Sequence, residues 1–209
     1  MEQFKFEVRN MGIHFYIPIV ICFAVLIVLI TLPQETYILQ QFVVIQTFII
    51  PLSAWCTAFL VYELYHHHAE EVLIKLYSKK LIQNYIKVIT IFLLIITILS
   101  TVLGVKSEAL HPMNLGLLLV SQTLIFSSIS LFLAVYFKNV ETSLMLVIMY
   151  VATELITMGE LMPWPHLFYF NPNVQLEDVL AYGIVSIVSS VIFIMASHSV
   201  VKTVERSVI

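Results

Sequence analysis

Six long apolar runs, separated by short polar breaks, constrain this chain more than any other feature of its sequence. A helix needs about 20 mostly apolar residues to cross the hydrocarbon core of a bilayer. The runs cover residues 13–32, 37–62, 81–105, 115–137, 142–158 and 179–201. Turn-forming residues such as Pro33, Pro112 and Asn139 interrupt them. We therefore predict an all-α membrane protein, with six transmembrane helices in one transmembrane domain over residues 1–209.

The composition excludes a soluble globular fold. Hydrophobic residues make up 60% of the chain and charged residues 11%, whereas a soluble domain typically carries about 25% charged residues. The net charge of -3 argues against a nucleic-acid partner, which would require a basic face. Cys22 and Cys56 both lie within apolar runs, so we expect buried free thiols and no disulfide framework.

Basic residues are distributed unevenly between the two sides of the predicted bundle. Eight lie at the two termini, between the second and third runs, or between the fourth and fifth runs: Lys5, Arg9, Lys75, Lys79, Lys80, Lys138, Lys202 and Arg206. Lys106 alone lies in the other connections, and Lys87 falls inside the third run. The excess of positive charge marks the cytoplasmic side. We predict that both ends are cytoplasmic and that the first run is retained as a span. Residues 1–12 are predicted to form a short interfacial helix; the alternative is a frayed tail.

The connection between the second and third runs, residues 63–80, contains no Gly or Pro and is predicted to be helical. At 100° per residue, one side is apolar and comprises Tyr65, Ala69, Val72, Leu73 and Leu76. The other side is polar and comprises His67, Glu70, Glu71, Lys75 and Ser78. Ile74 is predicted to lie in the middle of this polar side. It is either a plug for a groove on a partner protein or a tolerated apolar residue on a helix that lies on the headgroups.

Three consecutive histidines in this connection, His66, His67 and His68, do not predict a metal site. Consecutive helical residues point about 100° apart, so the three rings cannot converge on one ion. His66 and Glu70 have i,i+4 spacing, but two ligands make a weak site. We predict a solvated cluster and no bound metal.

A second unusual stretch runs from Glu154 to Asp178. An ionisable group inside a span usually faces protein or a water-filled cavity, so Glu154 is predicted to line a path; the alternative is a glutamate that snorkels outward. The segment that follows, residues 159–178, is rich in aromatic residues, which favour the membrane interface. We predict a short re-entrant element there, whose outer-gate residues are Glu160, Trp164, Phe168 and Phe170.

The second run carries features that predict irregular packing. Pro51 removes one backbone donor and is expected to kink the helix. Gln40, Gln41, Gln46 and Thr47 can form hydrogen bonds between helices.

The chain has no phosphate-binding Gly-x-x-x-x-Gly-Lys-Ser/Thr motif, and we predict no catalytic residues. The pair Glu70-Glu71, followed by Lys75, is one substitution from the Glu-Glu-x-x-x-Arg of a family of intramembrane proteases. Here that pair lies in the cytoplasmic connection, and no run places a histidine at mid-depth. A non-catalytic membrane subunit is therefore favoured over a protease.

These features together resemble the permease subunits of ABC-2 type (type-2 exporter) ABC transporters, over nearly the whole chain. Those subunits have six spans, an interfacial N-terminal helix, a coupling helix between the second and third spans, and a short outer re-entrant element. The coupling-helix features look like Glu63, Glu70 or Glu71, Leu73, Leu76, Tyr77-Ser78 and Lys79 or Lys80. Phe170-Asn171-Pro172 is similar to the Asn-Pro of the outer element. Histidines replace the usual glycine, and Tyr77 replaces the usual proline.

The resemblance implies a non-enzymatic subunit in a bacterial plasma membrane. Two permease chains, identical or different, would form the pathway, and separate ABC ATPase subunits would bind ATP and Mg²⁺. The implied contacts with the ATPase are Glu63, His67, Glu70, Glu71 and Ile74. An apolar, aromatic path favours an amphipathic peptide or a lipid-like molecule as substrate. The alternative is a polytopic protein without an ATPase partner, such as an accessory or immunity subunit or the protease above.

Overall fold

A computed structural model describes residues 12–31, 34–66, 70–106, 112–158, 166–170 and 175–208. Nearly all of these residues are helical, and no β-strand occurs among them. In chain order the elements are α1 (Ile13–Thr31), α2 (Gln34–Val44), a π-helical turn (Ile45–Ile49), α3 (Ile50–Phe59), α4 (Tyr62–His66), α5 (Glu70–Lys106), α6 (Pro112–Phe137), α7 (Val140–Thr157) and α8 (Leu176–Val208).

Five helical stretches are long and apolar enough to cross a membrane, and they follow the second to sixth predicted runs to within a few residues. They are Leu39–Phe59, Ser78–Val105, Pro112–Phe137, Val140–Thr157 and Leu176–Arg206. The apolar part of α1, Tyr16–Thr31, is shorter than these five. The prediction of an all-α, multi-pass membrane protein is confirmed at this level.

Helix α6 lies at the centre of the bundle, where it packs against α3, α5, α7 and α8. Most of α6 is buried, whereas α1, α7 and α8 each expose a face of large apolar side chains. Such faces are costly in water and suited to lipid. The bundle therefore has one buried central helix and a lipid-compatible periphery.

Small polar side chains join the central helices to one another. The Thr57 hydroxyl donates to the Ser127 carbonyl at 2.9 Å, and the Ser130 hydroxyl donates to the Ala54 carbonyl at 2.9 Å. The Ser143 hydroxyl donates to the Ser130 carbonyl at 2.7 Å. Small hydroxyl residues let helix backbones approach closely and supply hydrogen bonds where no water is present. These contacts hold α3, α6 and α7 together.

The second span is interrupted by the π-helical turn, directly before Pro51. The Ile50 N–H donates to the Ile45 carbonyl, five residues back. Proline cannot donate a backbone hydrogen bond, and its ring clashes with the carbonyl four residues earlier, so a wider turn suits the residues before it. The sequence predicted a kink at Pro51; the structure has this π-helical turn directly before the proline, and Gln46, which lies in the turn, is buried.

The described parts of the predicted coupling helix, residues 63–66 and 70–80, belong to two helices. Glu63 lies in α4, while α5 begins at Glu70 and continues without a break through the third span to Lys106. Glu70 and Glu71 form the first turn of α5, and His67 lies outside the described residues.

The prediction that Ile74 lies on an exposed polar side is wrong. Ile74 is 1% exposed and Ser78 is also buried. Ile74 belongs to the buried apolar core, which also includes Leu64 and Tyr65 of α4; a helical projection of this one stretch does not include the neighbouring elements that bury it. Ile74 is therefore not available as a surface contact for a partner.

Candidate functional site

A short non-helical segment, residues 166–170, lies between α7 and α8 and is inserted among the helices. We call it the outer segment. Its backbone contacts Gln46, Gln122 and Tyr182, which lie well inside their helices. Gln122 is ten residues beyond Pro112, or about 15 Å along α6 at 1.5 Å per residue. The segment is therefore inserted among the helices, and the re-entrant path stays a prediction.

Gln46 binds the outer segment through both the nitrogen and the oxygen of its carboxamide. Its Nε2 donates to the Tyr169 carbonyl at 2.7 Å, and its Oε1 accepts from the Tyr169 N–H at 2.9 Å. The side chain thus replaces the N–H and the carbonyl that one residue of a neighbouring antiparallel strand would offer to Tyr169. Gln46 is 1% exposed, so these two backbone groups are satisfied without water.

Gln122 links Gln46 to a second residue of the segment. Its Nε2 donates to the Gln46 Oε1 at 2.8 Å and to the Leu167 carbonyl at 2.6 Å. The hydroxyl of Tyr182 on α8 donates to the same Leu167 carbonyl at 3.2 Å. Three helical segments of the bundle therefore meet around two backbone carbonyls of the outer segment.

Glu154 and Tyr150, one turn apart on α7, bind the remaining face of Leu167. The Leu167 N–H lies 3.1 Å from the Glu154 Oε1 and 3.1 Å from the Tyr150 hydroxyl oxygen. The Tyr150 hydroxyl donates to the Glu154 Oε1 at 2.7 Å. The His166 Nδ1 lies 3.6 Å from the same oxygen, and its side chain is 47% exposed whereas that of Glu154 is 0% exposed.

Two oxygens of this network lack a hydrogen-bond donor in the described part of the chain. They are the Glu154 Oε2 and the Gln122 Oε1, both buried. In the same part of the chain, no three His, Cys, Asp or Glu side chains come together as a metal site.

Aromatic rings pack the outer segment against the bundle. Phe168 is buried and stacks on Phe126 at a centroid distance of 5.6 Å. Tyr169 meets Tyr182 edge-on at 5.4 Å. Burial raises the pKa of Tyr169, and the nearby Asp178 carboxylate raises it further. The outer segment is therefore held in two ways, by the apolar packing of Phe168 and by the hydrogen bonds to Leu167 and Tyr169.

This arrangement meets the physical requirement for non-helical backbone at membrane depth. Such backbone is tolerated only where it is buried in protein or lines a water-filled cavity, because lipid cannot satisfy its polar groups. Here the N–H and carbonyl groups of Leu167 and Tyr169 are bound by Gln46, Gln122 and the α7 and α8 side chains described above. We call these five side chains, Gln46, Gln122, Tyr150, Glu154 and Tyr182, the clasp.

Several predictions about this region can now be compared with the structure. Glu154 faces protein, so the alternative of a glutamate that snorkels outward is wrong. Phe168 is buried and Phe170 is half-buried against the core, while Glu160 and Trp164 lie outside the described residues. Gln46 forms the predicted interhelical hydrogen bond, to Gln122. Thr47 instead donates to the Val43 carbonyl of its own helix.

Sequence reasoning did not identify Gln122, Tyr150 or Tyr182 as site residues. A glutamine in the middle of an otherwise apolar span was the available signal for Gln122, because an amide in hydrocarbon needs a partner. The i,i+4 spacing of Tyr150 and Glu154 was a similar signal on α7.

No protein-family model matches this chain, and neither a curated protein nor a solved structure matches it. The resemblance to ABC-2 permeases therefore depends on the sequence features already described.

Proposed function

We propose that this chain is the permease subunit of an ATP-driven exporter of the ABC-2 type. It would cross the bacterial plasma membrane six times with both ends in the cytoplasm, pair with a second permease chain and bind separate ATPase subunits. The observation that carries the proposal is that the clasp binds the outer segment. A permease needs such an element at the outer end of its pathway, where several spans together can hold the pathway closed.

The clasp links the state of this outer element to the positions of the helices. Gln46, Gln122, Glu154 and Tyr182 come from four predicted spans, and all of them bind Leu167 or Tyr169. A displacement of one span by an ångström or two lengthens these hydrogen bonds beyond their useful range. Helix movements driven from the cytoplasm would thus release the segment and open a path past Glu154, Phe168 and Phe170.

Contacts with the ATPase would come from the junction of α4 and α5. The candidate contacts are Glu63, His67, Glu70 and Glu71. Ile74 is no longer among them, because it is buried. The chain would perform no covalent chemistry itself, and ATP and Mg²⁺ would be bound by the partner. The apolar and aromatic lining near Phe168 and Phe170 favours an amphipathic peptide or a lipid-like substrate.

Reversal of two charges tests the ATPase contact. We expect the double variant Glu70→Lys/Glu71→Lys to fold and insert but to lose co-purification with a Walker-type ATPase and to lose transport. The control reverses another adjacent acidic pair, Glu177→Lys/Asp178→Lys, which is exposed at the start of α8 and is predicted to lie on the outer side. If the first variant keeps both properties, the assignment is wrong.

A second candidate is a polytopic accessory or immunity protein that has no ATPase partner. The continuous helix α5 favours it, because residues 70–80 extend a membrane span and do not form a separate surface helix. For this candidate, no ATPase would co-purify with the unmodified chain, and the two charge-reversal variants would behave alike.

A further inference from the structure

We propose that residues 38–44 of the second span rotate as a unit between two positions, and that this rotation docks or releases the outer segment. In the structure the π-helical turn is present and the segment is docked. In the second position the turn becomes regular α-helix and Gln46 leaves Tyr169. This inference goes beyond the permease proposal and does not depend on it, since it concerns how the clasp opens in any protein that contains one.

The π-helical turn contains one residue more than a regular helical turn. The Ile50 N–H donates to the Ile45 carbonyl, whereas in a regular α-helix it would donate to the Gln46 carbonyl, four residues back. If the turn becomes α-helical while α3 stays in place, each earlier residue moves to the place now held by the residue before it. Gln46 then moves to the present place of Ile45, a rotation of about 100°, and its hydrogen bonds to Tyr169 are broken.

A second irregular point bounds the other end of this piece of helix. The backbone of Tyr37 is non-helical (φ -126°, ψ 15°), although the residue lies inside α2. Residues 38–44 are therefore a piece of regular helix between Tyr37 and the π-helical turn. Changes in the backbone dihedral angles at these two points can absorb a rotation of the piece, as they do at the hinges of other proteins.

The burial of Gln41 favours the second position. Gln41 is 2% exposed, and neither its Nε2 nor its Oε1 has a hydrogen-bond partner in the described part of the chain. An amide that is buried without partners costs free energy, because it has lost its hydrogen bonds to water. The rotation carries Gln41 to the present place of Gln40, which is exposed and lies at the end of the apolar stretch Leu39–Phe59.

The same rotation brings an apolar side chain into the buried place. Phe42 moves to the place that Gln41 now holds, while Gln40 moves to the present place of Leu39, which is exposed. Gln40 is therefore exposed in both positions. The hydrogen bonds of the clasp stabilise the first position, and the release of Gln41 stabilises the second. Opposing terms of this kind produce a two-state element.

Amide hydrogen exchange at Tyr169, in the purified full chain in detergent, tests the proposal. Gln41→Leu removes the unpartnered amide, so the docked form no longer carries its cost. We expect exchange at Tyr169 to slow by at least about fivefold. Gln40→Leu is the control and should leave the exchange rate unchanged, because Gln40 is exposed in both positions. Unchanged or faster exchange in Gln41→Leu would overturn the proposal.

Pro51→Ala should shift the balance in the opposite direction. Alanine has the backbone N–H that proline lacks and has no ring to clash with the preceding turn, so the turn becomes α-helical more readily. We expect exchange at Tyr169 to become about tenfold faster, while amides in the middle of α6 keep their rates. Pro18→Ala is the control, because it removes a proline from the interior of α1. Equal exchange at Tyr169 in the two proline variants would overturn the proposal.

Cysteine labelling provides a second measurement, which does not require Gln41→Leu or Pro51→Ala to fold. If the segment and the rotation are coupled, a change that loosens the segment must also favour the rotation. Tyr150→Phe loosens the segment from α7 and leaves the second span unaltered. We expect the thiol of Gln41→Cys to react faster with methyl methanethiosulfonate when Tyr150→Phe is added, but not when Tyr136→Phe is added. Equal rates in the two double variants would overturn the proposal.

Discussion

The carboxamide of Gln46 pairs with the backbone of Tyr169 as one residue pairs with another across two antiparallel β-strands, with hydrogen bonds of 2.7 and 2.9 Å. The two residues are 123 positions apart in the sequence. This pair attaches the outer segment to the irregular second span. Gln46 lies in the π-helical turn. The turn that interrupts the second span therefore also carries the side chain that holds the segment.

Replacing Gln46 should release the outer segment. In Gln46→Leu the Tyr169 N–H and carbonyl would each lose a buried partner, at a cost of about 1–3 kcal/mol per group. We expect faster amide hydrogen exchange at Tyr169 and a lower unfolding temperature. Gln40→Leu is the control, because Gln40 is an exposed glutamine of the same span. Equal exchange in both variants would mean that the pair does not hold the segment.

Removing one hydroxyl should loosen the other end of the clasp. In Tyr150→Phe the buried Glu154 loses its shortest hydrogen bond, at 2.7 Å, and stability should fall by about 1–3 kcal/mol, typical for a buried charged group deprived of a donor. Chemical unfolding of the purified chain measures this loss. Tyr136→Phe, at an exposed tyrosine, should have little effect; a similarly small effect of Tyr150→Phe would contradict the assigned role.

Gly104 should tolerate no side chain. A Cβ at this position would lie 2.7–2.8 Å from Pro112, including its backbone Cα, so the end of α5 and the start of α6 would have to separate. We expect Gly104→Ala to lower the yield of folded protein or its unfolding temperature. At Gly183 the nearest atom is the movable Ser121 hydroxyl oxygen, at 3.2 Å, so Gly183→Ala should be milder. The reverse ranking would contradict the packing described.

Cysteine labelling tests the proposed topology. The natural Cys22 and Cys56 are buried and should give little background. Gln175→Cys should react with a membrane-impermeant maleimide in intact cells, whereas Glu141→Cys should react only after the membrane is opened. Labelling of both variants in intact cells would contradict the predicted orientation.

The spans were predictable from sequence because hydropathy is a local property. For example, the fourth run was predicted over residues 115–137 and α6 covers Pro112–Phe137. Pro51 indicated an irregularity in the second span, because a proline lacks a backbone N–H and can be recognised from the sequence alone.

Features that depend on distant neighbours were not predictable. Ile74 was assigned to a polar side, because a projection of one helix cannot reveal that the folded bundle buries it. Gln122 was missed, because its role depends on Gln46, 76 positions earlier, and on Leu167, 45 positions later. Glu154 was recognised as unusual from its charge alone, but its partners became evident only in the folded chain.

The most direct test of the permease account is whether the outer segment must move during ATP-driven transport. In Phe126→Cys/Phe168→Cys, at residues whose rings are in contact, a short bifunctional thiol reagent with a reducible bridge would link the segment to α6. We predict that this reagent abolishes stimulated ATP hydrolysis in a complex of the variant with its ATPase, and that a reductant restores it, whereas Phe168→Cys alone is insensitive to the reagent. Undiminished ATP hydrolysis in the fully cross-linked complex would contradict the account.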